Sequence, residues 1–268
     1  MRRAVQFACL AAATVSVLSC GPKGLANITL PSGPGTPAPD YATAFAAALI
    51  KCHDIRTLSA ELSLAGHAGR QTLRGRALIG LAAGAMRLEA LAPGGTPAFI
   101  FVADGSRGRL LLARDRRVLD GAPPADILEA LVGVGLDPQD LRAMLAGCLR
   151  ASPEATGARA YGTEWVVVDL AGGGSMYLRR GPDGGFRITA GTYANLRVQY
   201  GVLGLTGTPS SIRLTSIASP RGPALDLTLA LSQVEVNGEL PHEQLVALTV
   251  PPGTAPITLQ ELRESYHR

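Results

Sequence analysis

A chain of 268 residues suits one domain once an N-terminal leader is set aside, and a hydrophobic content of 47% supplies a large core. Aromatic residues make up only 4%, so core and cavity alike must be mainly aliphatic. The formal net charge is +4, of which Arg2 and Arg3 in the leader account for two; the +2 that remains, with no basic patch interleaved with aromatics, argues against nucleic acid as a partner.

In chain order, Arg2 and Arg3 make a short basic start and Ala4 to Leu18 an uncharged apolar run. The run is shorter than the roughly 20 apolar residues that span a bilayer, which is the pattern of a secretory signal peptide. Val17-Leu18-Ser19-Cys20-Gly21 then resembles a lipobox. That resemblance implies diacylglyceryl transfer to the Cys20 thiol and cleavage before it; the alternative is an ordinary signal peptide with a stray Cys. Each buried methylene contributes roughly 0.8 kcal/mol, so two or three chains hold firmly where one does not. Asp after the lipidated Cys favours inner-membrane retention in some Gram-negative bacteria. Gly21 stands there instead, which leans towards the outer membrane. The expected place is the cell envelope, lipid-anchored through Cys20 and facing the periplasm.

The expected organisation is a leader over 1–19, a lipidated Cys with a Gly- and Pro-rich flexible tether over 20–39, and a single β-rich domain over 40–268. Asp40 is placed to cap a helix from Tyr41 to Ile55, with Tyr41, Phe45, Leu49 and Cys52 on one face. From Leu58 the period changes to two. Leu58, Ala60, Leu62 and Leu64 alternate with Ser59, Glu61 and Ser63, and Met86, Leu88 and Ala90 alternate with Arg87 and Glu89. Gln71 to Leu81, Ala98 to Ala103 and Arg109 to Ala113 continue an antiparallel meander with one apolar face. Pro123 and Pro124 open a helix carrying Ile127, Leu128, Leu131 and Val132. Asp137-Pro138 opens another, with Leu141, Met144, Leu145 and Cys148 in one stripe.

A second set of strands follows at Glu164 to Leu170, Ser175 to Arg180, Gly185 to Tyr193, Leu196 to Val202, Ser211 to Ile217 and Leu225 to Val236. A short helix runs near Leu259 to Tyr266 behind the capping-box pair Thr258 and Glu261. So many strands with one apolar face need a cover. The expected fold is mainly β (α+β): an unclosed antiparallel β-barrel with a helical lid.

Cys52 and Cys148 remain after lipidation of Cys20. Both fall on apolar helical stripes, and oxidation is permitted beyond the inner membrane. They form either a disulfide or two buried free thiols. CxxC and Cys-His metal spacings are absent.

Met86-Arg87-Leu88-Glu89-Ala90-Leu91-Ala92-Pro93-Gly94-Gly95, then Asp104-Gly105 with Leu110-Leu111-Leu112, then Leu128 to Gly135 and Leu136-Asp137-Pro138-Gln139-Asp140-Leu141-Arg142 together resemble the lipoprotein-localisation proteins of the LolA/LolB fold. Within that group the chain is more similar to LolB, the lipidated outer-membrane acceptor. The resemblance covers residues 41–150 and is only architectural afterwards. It implies an aliphatic cavity under a helical lid that takes up acyl chains of a lipoprotein or lipid, with a periplasmic carrier as partner and no cofactor. Leu62, Leu64, Met86, Leu88, Phe99, Phe101, Leu110 and Leu112 line that cavity or pack a closed core, and Trp165 joins them or is simply buried. The matching membrane-facing loop is Leu91, Pro93 and Gly94. Gly94 stands where LolB has an exposed Leu, so the membrane wedge is expected to be missing or weak.

No catalytic constellation appears. His242-Glu243-Gln244-Leu245-Val246 starts like a zinc-protease helix but lacks the second His, which leaves a solvated turn after Pro241. Gly105-Ser106 and Gly174-Ser175 lack the nucleophile-elbow frame, and Gly172-Gly173-Gly174 lacks the Lys-Ser/Thr of a phosphate loop. Two readings follow: a membrane-anchored acyl-chain binder that is not an enzyme, or a structural or protein-interaction envelope lipoprotein with a filled core.

Overall fold

In the computed structural model the described residues are 28–69, 71–193, 195–217 and 225–266; the leader and Cys20 lie outside them. In chain order the elements are β1 (Thr36–Pro37), α1 (Tyr41–His53), β2 (Leu58–Ala68), β3 (Gln71–Ala82), β4 (Ala85–Leu91), β5 (Pro97–Asp104), β6 (Arg107–Leu112) and β7 (Arg117–Ala122). Then come α2 (Pro124–Val132), α3 (Pro138–Ala146), β8 (Ala155–Tyr161), β9 (Trp165–Leu170), β10 (Ser175–Arg180), β11 (Phe186–Tyr193) and β12 (Leu196–Tyr200). The chain continues with β13 (Ser211–Ser216), β14 (Leu225–Val236), α4 (His242–Val246), β15 (Ala255–Pro256) and α5 (Leu259–Tyr266).

All strands belong to one 15-stranded sheet in the order β1-β8-β9-β10-β11-β12-β13-β14-β2-β3-β4-β5-β6-β7-β15. The pairing is antiparallel except for β15 on β7. The two edges are β1 and β15, so the sheet curves without closing. Each edge strand is two residues long, which leaves little open ladder for another chain to join. The two runs of strands meet at β14 and β2, where Leu229 faces Leu64 and Leu231 faces Leu62. In the same ladder Gly66 takes a φ of 150°, and a Cβ there would stand 2.0 Å from the Asp226 carbonyl oxygen, so only glycine fits.

The alternation gives the sheet one apolar face, and the helices cover it. Phe45, Leu49 and Cys52 of α1, Ile127, Leu128 and Leu131 of α2, and Met144 and Leu145 of α3 are buried in one cluster with the inward side chains of the strands. Asp137 caps α3 by accepting from the backbone N–H groups of Gln139 and Asp140 at 2.8 and 2.9 Å. Asp40 makes no such bond to α1. At α5, Thr258 Oγ1 accepts from the Glu261 N–H at 3.2 Å and the Glu261 carboxylate accepts from the Thr258 N–H at 2.8 Å. This helix lies against α2 and buries Leu262.

Five elements depart from expectation: the two-residue edge strands β1, within the expected flexible tether, and β15, together with β7, β8 and α4. β7 and β8 have Arg-, Ala- and Gly-rich sequences that do not read as strands alone; the ladders of β6 and β9 impose the form. The segment expected as a solvated turn at His242 is the short helix α4. It lies on the outer face, where Leu245 is buried against β3 beside Gly80.

Just after α3, several contacts pin the cover to the sheet. Cys148 is bonded to Cys52 of α1, with Cα atoms 5.7 Å apart. Leu149 adopts a φ of 63° and drives its side chain against Gly191 of β11. Its N–H donates to the buried Tyr200 hydroxyl at 2.9 Å, and burial holds that hydroxyl protonated far above the ordinary phenol range. Asp140, itself buried, accepts from the Ala151 N–H at 2.8 Å and from the Tyr193 hydroxyl at 2.9 Å, and the Arg150 guanidinium lies 5.0 Å over the Tyr193 ring.

Two outcomes are expected. Protein isolated without reductant shows neither Cys52 nor Cys148 as a free thiol, and reduction lowers stability by about 2–4 kcal/mol; two titratable thiols would contradict the bond. Tyr200→Phe strands the Leu149 N–H in the core, with a loss of about 1–3 kcal/mol. At this chain size that lowers Tm by roughly 2–10 °C, and an unchanged melting curve would show that the N–H finds another partner.

Candidate functional site

The concave face of the first run of strands is not uniformly sealed. One rim of the sheet carries the starts of β2, β4, β6, β9, β11 and β13; the opposite rim carries the turn 92–96 between β4 and β5. Along β2, Leu58 is fully buried and Leu62 nearly so, while Leu64 is half-buried. β3 repeats the gradient from Leu81 and Ile79 to the half-buried Leu73, β4 from Met86 to Leu88, and β5 from Ala103 and Phe101 to Phe99. The registers place these residues side by side: Leu88 faces both Ile79 and Phe101, and Phe99 faces both Ala90 and Leu112.

The structure therefore divides the sequence-derived cavity residues. Leu62, Met86, Phe101, Leu110 and Leu112 are 0–5% exposed and packed beneath the helices. Leu64, Leu73, Leu88 and Phe99 are partly exposed at different levels of the concave face: Leu88 stands level with the buried Ile79 and Phe101, Phe99 one inward position nearer the second rim, and Leu64 and Leu73 nearer still, with Val132 of α2 and Leu141 of α3 also partly buried against the same core. Trp165 belongs to neither group. It pairs with Arg179 across the ladder, and the Arg179 guanidinium lies 5.4 Å over its ring. Val166, Val168 and Leu170 point into the core from the same strand, so Trp165 stands on the outer face.

The turn 92–96, which the resemblance matches to a membrane-facing loop, offers no large exposed apolar group. Leu91 is half-buried at the end of β4, Ala92 is buried, and Pro93, Gly94 and Gly95 are exposed. Gly94 and Gly95 take φ values of 99° and 84°, so a Leu at position 94 would be strained as well as exposed.

Two clefts lie elsewhere. One, of about 440 Å³, sits on the outer face beneath Ile28 to Gly33, over Tyr161, Tyr177 and Gln199. Here residues 28–37 cross the sheet: Gln199 donates to the Ile28 carbonyl at 3.4 Å, the Tyr161 hydroxyl to that of Gly33 at 2.8 Å, and Thr36–Pro37 pair with β8. The other, of about 200 Å³, lies between α1, the end of α3 and the segment after β12. Neither is lined by Leu64, Leu73, Leu88 or Phe99. Among the described residues no group of His, Cys, Asp and Glu could hold a metal ion, and no helix is long and apolar enough to cross a membrane. His242, expected in a solvated turn, lies 3.2 Å from Asp104, both exposed.

Sequence reasoning did not single out Asp140, Tyr193, Tyr200 or Leu149. An acid within a helix stripe and two strand tyrosines carry no local signal of their pairing, which depends on α3 lying against β11 and β12.

No protein-family model and no curated protein matches the sequence. Solved structures do. A LolA superfamily protein from Nitrosomonas europaea superposes with a TM-score of 0.52 at 11% identity, over 78% of this chain and 99% of that one. A DUF1329 family protein from Desulfovibrio piger gives 0.50 at 8% identity, over 76% and 95%. An outer membrane lipoprotein-sorting protein domain from Vibrio parahaemolyticus gives 0.46 at 9%, over 77% and 97%. At 11% and 8% identity the first two likenesses show the fold alone: this chain is folded like these two solved structures.

Proposed function

We propose that this chain is an envelope protein, anchored through a lipidated Cys20, that binds acyl chains against the concave face of its open sheet. The observation that carries the reading is the partial exposure of the apolar side chains Leu64, Leu73, Leu88 and Phe99 on the concave face. A chain lying there would extend inward as α2 shifts. α2 is the less firmly held part of the cover. α3 ends at the disulfide, whereas α2 is held by apolar packing on β6 and α5 and by the exposed ion pair between Arg263 and Glu129 at 3.2 Å, a contact of small net value. Uptake needs no covalent chemistry. Burial of roughly 25 cal/mol per Å² of apolar surface drives it, and exchange with a second apolar site is its reverse. The cargo that suits such a site on an anchored protein is a lipoprotein delivered by a soluble periplasmic carrier, the role of LolB, and the outer membrane is the matching location.

The second reading, an interaction lipoprotein with a filled core, draws on the complete burial of Met86, Phe101 and Leu110. Fluorescent fatty-acid titration of the domain separates the two. Saturable binding is expected, and Phe99→Glu should weaken it by at least about tenfold, since a carboxylate would replace an aromatic contact of roughly 1.5–3 kcal/mol. Absence of binding, with no lipid co-purifying by mass spectrometry, favours the filled core. The anchor is tested separately. Cys20→Ser is expected to abolish incorporation of radiolabelled palmitate, and a labelled variant would refute lipidation at Cys20.

A further inference from the structure

Of the six large apolar side chains that stand exposed among the described residues, three lie in the loop 201–210 between β12 and β13. Leu205 is fully exposed, Val202 is 79% exposed and Leu203 38%. The loop is ordered. The Ser210 N–H donates to the Val202 carbonyl at 2.8 Å, the Gly204 N–H to that of Thr208 at 2.8 Å, and the Gly207 N–H to that of Gly204 at 3.1 Å. Leu205 thus stands at the tip of a tight turn whose return is made by Gly207 at a φ of 80°. Such a position ordinarily takes a polar residue.

Its place in the fold says what covers it. The loop sits on the first rim, the one opposite the turn 92–96. The N-terminal segment reaches the body at this same rim: Ile28 is held by Gln199, two residues before the loop begins, and Gly33 by Tyr161 at the end of β8. Cys20 is eight residues before Ile28, a reach of at most about 28 Å. The acids of the neighbouring turns are neutralised, Glu164 by Arg179 at 2.8 Å and Asp183 by Arg187 at 2.7 Å, so no unpaired carboxylate in these turns opposes a lipid surface.

We infer that the loop 201–210 is a bilayer contact, with Leu205 and Val202 entering the interface beside the lipid anchor. The inference rests on the proposed lipidation of Cys20. It places a membrane wedge on the rim opposite the turn 92–96 and turns the partly exposed Leu64, Leu73 and Phe99 away from the bilayer.

The test uses the full acylated chain carrying Trp165→Phe, reconstituted in phosphatidylethanolamine–phosphatidylglycerol vesicles. With Leu205→Trp added, emission is expected to shift to the blue, to be quenched by lipids brominated along the acyl chain, and to lose access to aqueous iodide. Pro93→Trp in the same background should remain water-exposed. If Leu205→Trp stays open to iodide and untouched by brominated lipid, or Pro93→Trp is quenched in its place, the inference is overturned. Blue-shifted emission before vesicles are added, with a doubled sedimenting mass, would overturn it in favour of a second copy of this chain. Palmitate labelling and fatty-acid titration of the same variants report the anchor and the binding site independently. Lost quenching with intact labelling and uptake therefore defeats the loop assignment alone.

Discussion

An open sheet with one apolar face is unstable in water by itself, and that constraint organises this chain. The inward residues of β2 to β7 and of β9 to β14 alternate strictly enough to make a continuous aliphatic surface. A barrel could hide such a surface by closing. Here the edges β1 and β15 stand apart, so α1, α2, α3 and α5 must supply the missing contacts. Each of these helices carries an apolar stripe, and the rest of its surface is free to be polar.

A cover that only packs could slide, and the chain fixes it at one place. Between Gly147 and Ala151 a disulfide, a left-handed Leu149, a buried tyrosine hydroxyl and a buried carboxylate all act within five residues. Orphaning any of these polar groups would be destabilising by more than the bond's net worth, because the group would stay buried. α1 and the end of α3 are therefore one unit with the second run of strands. No comparable set of contacts holds α2. α2 packs against β6 and α5, with Ile127 and Ala130 fully buried, and adds one exposed ion pair, so it is held by apolar contact and not by a covalent bond.

Much of this was legible in the residues. Period-two alternation located most strands, and Asp137-Pro138 marked α3 with its cap. What failed did so for local reasons. Asp40 and Asp137 look alike before a helix, but only Asp137 has the extended backbone that turns its carboxylate onto the next N–H groups. Ala155 to Tyr161 has little strand propensity and becomes β8 by pairing on both sides. Trp165-Val166-Val167-Val168 does not alternate, because Val167 is buried too, on the outer face in the cleft beneath the N-terminal segment; parity then gives no sign of which way Trp165 points. The partial exposure of Leu64, Leu88 and Phe99 likewise could not be read from alternation, which reports the face of a residue and not its depth beneath a helix.

The distribution of features between the two rims gives the molecule a direction. At the first rim the inward side chains of β2 to β5 are sealed, the N-terminal segment arrives, and the loop 201–210 exposes Leu205. Towards the second rim the same strands leave apolar side chains partly open to water. On the proposed reading the first rim faces lipid and the second faces the aqueous space. An acyl chain brought by a soluble donor would then meet these partly exposed side chains without competing with the bilayer beneath. To pass onward it would have to leave by the same opening or move past α2, since the side of the cover nearest the disulfide is covalently tied. Directionality here comes from where the sheet is sealed, a consequence of which strand ends the helices overlie, and requires no change in the sheet itself.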